Sequence, residues 1–97
     1  MATISFDMKK ITDICQANDV SMLGIFGSVA RGEDSEDSDI DMLVSFSERK
    51  GLLALVRLER VLSETLGRKV DLLTEAAISP YIRNNILKDL QVLYGAR

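Results

Sequence analysis

The chain has 97 residues, of which 46% are hydrophobic and 28% are charged, and its net charge is −3. This length and balance are typical of one small folded domain covering residues 1–97, and they exclude a disordered chain. The absence of His and the single cysteine, Cys15, exclude Ser-His-Asp triads, disulfides within the chain and zinc sites built from His or several Cys.

The first half of the chain predicts a helix, two strands and a helical turn between the strands. Apolar residues recur at helical spacing until Asn18-Asp19 ends the pattern, at Ile4, Met8, Ile11 and Cys15. The nearly continuous apolar run 20–26 predicts a buried strand. Residues 28–32 predict a helical turn, residues 33–38 a polar loop, and residues 39–46 a second strand.

The second half predicts two helices and two short strands. Leucines at positions 52, 55, 58, 62 and 66 form the stripe of a helix that Gly67 ends, with Leu53 and Val61 off the stripe. Residues 70–73 predict a third strand. Ser79-Pro80 begins a helix with the stripe Ile82, Ile86 and Leu90, and residues 92–94 predict an edge strand. Because the first two strands are joined by too short a segment for a crossover helix, we predict an α/β (α+β) fold with a small mixed sheet.

Six acidic residues crowd into nine consecutive positions: Glu33, Asp34, Glu36, Asp37, Asp39 and Asp41. Without them the chain would carry 9 acidic residues against 12 basic ones, so the acidic charge is local. Such a segment either stays solvated or binds cations. No basic patch with interleaved aromatic residues is present, so we expect no direct binding to nucleic acid.

The junction between the first two strands predicts a nucleotide site. Gly27 permits a sharp turn, and Ser28 begins a helical turn whose free backbone N–H groups suit a phosphate. Asp39 and Asp41 are two residues apart on a strand, so their carboxylates share a face and can hold Mg²⁺ together with substrate phosphates. Asp71 is an isolated acid in an apolar strand, which calls for a partner such as a metal. If the third strand neighbours the second, the three carboxylates meet.

The spacing of these residues forms a recognisable motif. It consists of Gly27, Ser28, Ala30, Arg31 and Gly32, a five-residue gap, then Ser38, Asp39 and Asp41, with Asp71 on a later strand. This motif resembles that of the nucleotidyltransferase superfamily, which includes DNA polymerase beta and the kanamycin nucleotidyltransferases, and in particular its smallest members, the minimal nucleotidyltransferases. The resemblance covers most of the chain and implies a polymerase beta palm-like fold. The gap is more acidic than is usual in the family.

The resemblance also implies a role for each site residue. Ser28 and the backbone from Gly27 to Ala30 would hold the β- and γ-phosphates of ATP, while Asp39 and Asp41 would bind Mg²⁺. Asp71 would complete the metal site and help to deprotonate an acceptor hydroxyl, which then attacks the α-phosphate. Arg31 either contacts phosphate as a nucleotide-binding residue or pairs with the acidic loop.

Other interpretations of single residues stay open from the sequence. Asp71 could be an ion-pair partner of Arg68 or Lys69. Ser38 is interpreted as a brace at the start of the second strand. Tyr81 and Tyr94 are interpreted as packing residues and not as a platform for adenine.

The family resemblance implies a partner and a function. Minimal nucleotidyltransferases resemble one half of a two-gene module whose other half is a helical HEPN protein, which is a ribonuclease toxin in toxin–antitoxin pairs. We therefore interpret the chain as a Mg²⁺-dependent nucleotidyltransferase and antitoxin that transfers AMP from ATP to a tyrosine hydroxyl of a HEPN toxin. Two alternatives keep the fold: an antitoxin that only binds its partner, and a catalytic subunit that modifies a small molecule.

The sequence predicts a cytoplasmic protein with no membrane segment. Its apolar runs are only a few residues long, which is too short to span a bilayer. The N-terminus lacks the basic-then-apolar order of a signal peptide.

Overall fold

Within the described residues, four helices and four strands alternate, as the sequence predicts. The computed structural model describes residues 6–35 and 37–96. The elements are α1 (Met8–Ala17), β1 (Val20–Phe26), α2 (Gly27–Arg31), β2 (Ile40–Phe46), α3 (Leu52–Leu66), β3 (Val70–Thr74), a 3-10 turn (Glu75–Ala77), α4 (Pro80–Asp89) and β4 (Gln91–Gly95). The predicted bounds of β1 are confirmed, whereas β2 begins at Ile40 and not at Asp39. Ile4, a predicted member of the first helix stripe, lies outside the described residues.

The sheet is mixed, which confirms the prediction. Its strand order is β3-β2-β1-β4. β1 is antiparallel to both β2 and β4, and β2 is parallel to β3 through the crossover helix α3. β4 is an edge strand, as predicted.

Both faces of the sheet are covered. On one face α1 and α3 pack against the strands, and the buried side chains there include Ile11, Cys15, Ile40, Leu58 and Leu62. On the other face α4 and the 3-10 turn pack against the strands, with Met22, Phe26, Leu43, Ile78 and Ile86 buried. A sheet covered on both sides explains why β1 and β2 are almost continuously apolar.

The predicted ends of the helices are confirmed by their capping residues. Ser79 caps α4, because its Oγ accepts a hydrogen bond from the Tyr81 N–H, and Pro80 is the first helical residue. Gly67 ends α3 in the left-handed conformation, at φ 70°. α1 begins at a cap that the sequence analysis did not identify, where the Asp7 carboxylate accepts from the Lys10 N–H at 3.2 Å.

The first turns of the helices are more exposed than the apolar stripes predict. Met8, Leu52 and Ile82 belong to predicted stripes, yet all three are exposed, Leu52 by 73%. Each lies in the first turn of its helix, where the side chains extend beyond the cover of the sheet. Tyr81 is 93% exposed, so its interpretation as a packing residue is wrong. Tyr94 does pack against the core, as predicted.

In the part of the chain that the structure describes, no helix has the length and apolar character needed to cross a bilayer.

Candidate nucleotide site

The register of the sheet places the start of α2 beside two carboxylates. Phe26 lies opposite Asp41 in the β1–β2 pair, and Asp41 lies opposite Asp71 in the β2–β3 pair. α2 begins at Gly27, directly after Phe26. The predicted neighbours, the helical turn and the carboxylates of the second and third strands, therefore meet at one end of the sheet.

Gly27 leaves space for the carboxylate of Asp41. Its φ is +74°, a left-handed conformation that favours glycine, and a Cβ there would lie 2.5 Å from Asp41 Oδ2. Position 27 therefore requires a glycine both for its backbone and for the close approach of Asp41.

The first turn of α2 keeps hydrogen-bond donors available. Phe26 precedes the helix and provides no side-chain cap, and Ser28 Oγ makes no hydrogen bond to any described residue. The first N–H groups of a helix lack partners within the helix, so an anion with several oxygens can satisfy them together with the Ser28 hydroxyl.

Asp41 is the electrostatic centre of the site. Desolvation raises the pKa of its carboxyl, the negative charges of Asp71 and Asp39 raise it further, and the nearby Arg31 lowers it. Asp39 lies immediately before β2, with Lys69 Nζ at 3.9 Å from its Oδ2. Asp71 is exposed between the buried Val70 and Leu72. A partly desolvated carboxylate that faces two others favours a cation.

The carboxylates fit a metal that is shared with a substrate. Among residues 6–35 and 37–96, no group of three or more Asp, Glu, Cys or His side chains is arranged to hold a metal ion unaided. Mg²⁺ seldom needs such a protein cage, because it is usually bound by one or two carboxylates, several waters and the phosphates of a nucleotide. The oxygen donors of Asp41, Asp71 and Asp39 beside a phosphate-sized set of N–H donors suit that mode.

Arg31 ties α2 to two other parts of the molecule. Its Nε donates to Glu33 Oε2 at 3.0 Å, which is the predicted pairing with the acidic loop, and its NH1 donates to Asp89 Oδ2 at 2.6 Å. Gln91 Nε2 donates to the carbonyl of Ala30 at 2.8 Å. α2 is thus held against the end of α4 and the start of β4. The sequence analysis missed Asp89 and Gln91, because no local pattern links residues so far apart in the chain.

Asp71 makes no ion pair with any described residue, so its interpretation as a partner of Arg68 or Lys69 is wrong. Arg68 instead binds Asp34, at 3.0 Å, and Lys69 lies near Asp39. Asp34 is therefore buried, although the sequence analysis placed the acidic segment in solvent or on a cation. The sequence gives one indication that Asp34 is buried, which is an arginine just before a strand in a chain that also has an acidic loop.

Ser38 braces the loop before β2, as predicted. Its Oγ accepts a hydrogen bond from the Ser35 N–H at 2.9 Å and lies 3.1 Å from Ser35 Oγ.

Sequence comparisons identify relatives over most of the chain. A family model described as a nucleotidyltransferase domain matches residues 8–93. A candidate protein adenylyltransferase of Methanocaldococcus jannaschii is 48% identical over 81 residues, covering 84% of this chain and 87% of the relative. The protein adenylyltransferase MntA of Thermococcus cleftensis is 41% identical over 71 residues, covering 73% of this chain and 72% of the relative.

Solved structures share the fold. A candidate minimal nucleotidyltransferase is 37% identical with a TM-score of 0.76, covering 87% of this chain and 86% of the other. A chain of a toxin–antitoxin complex with AMP-PNP has a TM-score of 0.80 at 23% identity, covering 95% and 76%. A chain of a complex between a tri-AMPylated Shewanella oneidensis HEPN toxin and its MNT antitoxin has a TM-score of 0.69 at 22% identity, covering 92% and 70%. The last two likenesses concern the fold alone.

The matched span of 8–93 includes the glycine turn, the acidic loop and all three site carboxylates. The chain therefore belongs to the nucleotidyltransferase domain family.

Proposed function

We propose that this chain is a protein adenylyltransferase that acts as an antitoxin, transferring AMP from ATP to a tyrosine hydroxyl of a helical HEPN toxin in the cytoplasm. One observation carries the proposal: Asp41 lies in register between Phe26, which leads into α2, and Asp71. The N–H groups that would bind phosphate and the carboxylates that would bind metal are therefore neighbours, and nucleotidyl transfer requires this arrangement.

The residues divide the work between binding and chemistry. The N–H groups at the start of α2 and the Ser28 hydroxyl bind the β- and γ-phosphates, and Arg31 contributes positive charge at the other end of α2. Asp39, Asp41 and Asp71 would hold Mg²⁺, which would neutralise charge on the phosphates. Asp71 takes the proton of the acceptor hydroxyl while the hydroxyl oxygen forms a bond to the α-phosphorus. The bond from the α-phosphorus to the bridging oxygen then breaks, and pyrophosphate leaves.

The names of the relatives support a protein as the acceptor. Two of them are named as protein adenylyltransferases, one of these as a candidate, and the chain covers 87% and 72% of their lengths. A solved complex in which one chain shares this fold contains a HEPN toxin that carries AMP groups. We therefore infer that the acceptor tyrosine is brought to the site by a partner protein.

The test compares the wild-type chain with Asp71→Asn after co-expression with a helical HEPN partner protein. Asn keeps the size of Asp at an exposed position, so folding and complex formation should survive. Loss of the general base should slow transfer by at least ~10²-fold. The intact mass of the partner should show added AMP with wild type and little or none with Asp71→Asn, and peptide fragmentation should locate the AMP on a tyrosine.

Asp13→Asn is the matched control, because Asp13 is an exposed acid on α1 and makes no ion pair with a described residue. It should modify the partner as fully as wild type. A partner that is neutralised without ever carrying AMP would instead support an antitoxin that acts by binding alone. AMP found only on a small molecule would support the third interpretation.

A further inference from the structure

Arg68 is the most heavily engaged side chain next to the site. It lies just before β3, and its side chain is only 16% exposed. NH1 donates to Asp34 Oδ2 at 3.0 Å, and NH2 donates to the carbonyl oxygens of Ser35, at 3.0 Å, and Ser38. One guanidinium therefore binds three residues of the acidic loop.

The anion in this cluster is almost completely buried. The side chain of Asp34 is 2% exposed. A buried carboxylate is costly unless it is paired and hydrogen-bonded, so Asp34 and Arg68 depend on each other. The planar fork of Arg can bind a carboxylate and two carbonyls at once, which the single ammonium of Lys cannot do with the same geometry.

The bonds of Arg68 fix the chain immediately before Asp39. The Ser38 carbonyl accepts from Arg68, and on the other side of Asp39 the Ile40 N–H donates to the carbonyl of Lys69 at 2.9 Å. Both neighbours of Asp39 are thus anchored to the two residues that lead into β3. Asp71 lies on that same strand, so the anchors also set the distance between the two carboxylates.

We propose that Arg68 is a positioning residue that holds Asp39 at the spacing from Asp71 that a nucleotide-bound divalent cation requires. This inference rests on the proposed function, because it assigns no separate ligand. Residues that orient metal ligands typically contribute 10–100-fold to metal affinity or activity. Arg68 should therefore act on metal binding far more than on the affinity for the nucleotide itself.

The test measures Mn²⁺ binding to the protein by the decrease of the free-Mn²⁺ electron paramagnetic resonance signal, with protein in excess over AMP-PNP and the decrease caused by AMP-PNP alone subtracted. Arg68→Lys keeps the charge that Asp34 needs but loses the fork, and it should bind Mn²⁺ about tenfold more weakly than wild type. AMP-PNP affinity without metal, measured by calorimetry, should change less than twofold. The matched control is Arg60→Lys, since Arg60 is exposed on α3 and pairs with Glu64 of the same helix and not with the acidic loop.

A second variant guards against a folding defect. Asp34→Asn keeps an oxygen acceptor for Arg68 and leaves the carbonyls of Ser35 and Ser38 in place, so its Mn²⁺ affinity should fall less than that of Arg68→Lys. Circular dichroism shows whether each variant is folded. If Arg68→Lys does not fold, the test is a decrease in Mn²⁺ affinity in Asp34→Asn that Arg60→Lys does not show.

The outcomes separate this inference from the proposed function. Wild-type Mn²⁺ affinity in a folded Arg68→Lys, or in Asp34→Asn where Arg68→Lys does not fold, overturns the positioning role and leaves the proposed function standing. A wild-type chain that binds no Mn²⁺ with AMP-PNP overturns both. An equal loss in Arg68→Lys and Arg60→Lys also overturns the role, because the loss would then not depend on where the arginine lies.

Discussion

Single residues at this site satisfy two demands at once, and Gly27 is the clearest case. Its backbone has a positive φ, and the space that a side chain would fill is taken by the carboxylate of Asp41. A substitution there therefore disturbs both the turn and a candidate metal ligand.

Gly27→Ala can be compared with Gly67→Ala. Both positions have a left-handed backbone, but at Gly67 no atom lies within 4 Å of the added Cβ. Each variant should lose about 1 kcal/mol of stability from backbone strain. Only Gly27→Ala should also lose binding of Mn²⁺ with AMP-PNP, because the new methyl displaces Asp41. Thermal unfolding and metal titration measure the two effects, and equal metal affinity in both variants would contradict the assigned contact.

Asp41→Asn should stabilise the chain when no metal is present. The pKa of Asp41 is raised by desolvation and by Asp71 and Asp39, so the fold favours the neutral form. A raised pKa means that stability is lost as pH rises through that pKa. Relative to wild type in EDTA, Asp41→Asn should gain ~0.5 kcal/mol at pH 7, and the gain should vanish below about pH 4. Melting curves across pH check this, and a variant less stable than wild type at pH 7 would refute it.

At the scale of elements, α3 protects the free edge of β3. β3 pairs with β2 on one side only. On its other side Glu59 Oε2 accepts from the Leu72 N–H at 2.9 Å, and Ser63 Oγ accepts from the Val70 N–H at 3.0 Å. These side chains bind backbone groups that would otherwise be open to pairing with another strand.

Glu59→Met should destabilise the chain, whereas Glu59→Gln should not. Met leaves the partly buried Leu72 N–H without an acceptor, which costs about 1–2 kcal/mol, or roughly 4–16 °C in Tm for a domain of this size. Gln retains a carbonyl oxygen at the same reach. Glu64→Met makes the same change at an exposed position of α3 and should leave Tm within about 2 °C of wild type. Differential scanning calorimetry tests the series.

The elements could be predicted from sequence where burial is continuous or a cap is local. β1 matches its predicted bounds because it is buried on both faces, and α4 begins at Ser79-Pro80 because that cap is chemically specific. The off-stripe position of Leu53 agrees with its exposure, whereas the exposure of Leu52, which lies on the stripe, could not be predicted. α3 has 15 residues and is about 22 Å long, whereas β3 has 5 residues and spans about 16 Å. A helix that is longer than the strand beside it leaves some apolar residues uncovered. The spacing of apolar residues does not reveal this difference in length.

The motif of the candidate site could be predicted from the sequence, whereas the ion pairs that hold its surroundings in place could not. Gly27, Ser28, Asp39 and Asp41 follow from local spacing, and the strand register brings Asp41 beside both Asp71 and the residue that precedes α2. The pairs Arg31–Asp89 and Arg68–Asp34 depend on contacts between distant parts of the chain. Nothing in the sequence near Arg68 distinguishes it from the adjacent Lys69, which remains exposed.

At the scale of the whole molecule, Cys15 reports on global unfolding. It is fully buried on the core-facing side of α1, and burial raises the pKa of its thiol from 9.0 to about 11. Both effects prevent reaction with thiol reagents, which need an accessible thiolate. The same shift means that stability should fall as pH rises from 9 towards 11.

The rate of Cys15 labelling by a disulfide reagent at pH 8 should therefore follow the population of the unfolded chain. Mg²⁺ with AMP-PNP at about 100 times its Kd should slow labelling roughly 100-fold, since ligand binding shifts that population. Gly27→Ala is the control and should show no such slowing. Labelling in guanidinium should be immediate, and equally fast labelling of the folded chain would show that Cys15 is accessible without unfolding.

The strand order also has a consequence for the timing of folding during synthesis. β1 needs β4 as its second neighbour, yet Leu23 and its partner Tyr94 are about 70 residues apart in the chain. At 5–20 residues per second, a ribosome takes about 4–14 s to pass from one to the other. Throughout that interval the central strand has an unpaired edge. The nascent chain thus completes its sheet only after almost all of the described sequence has been translated.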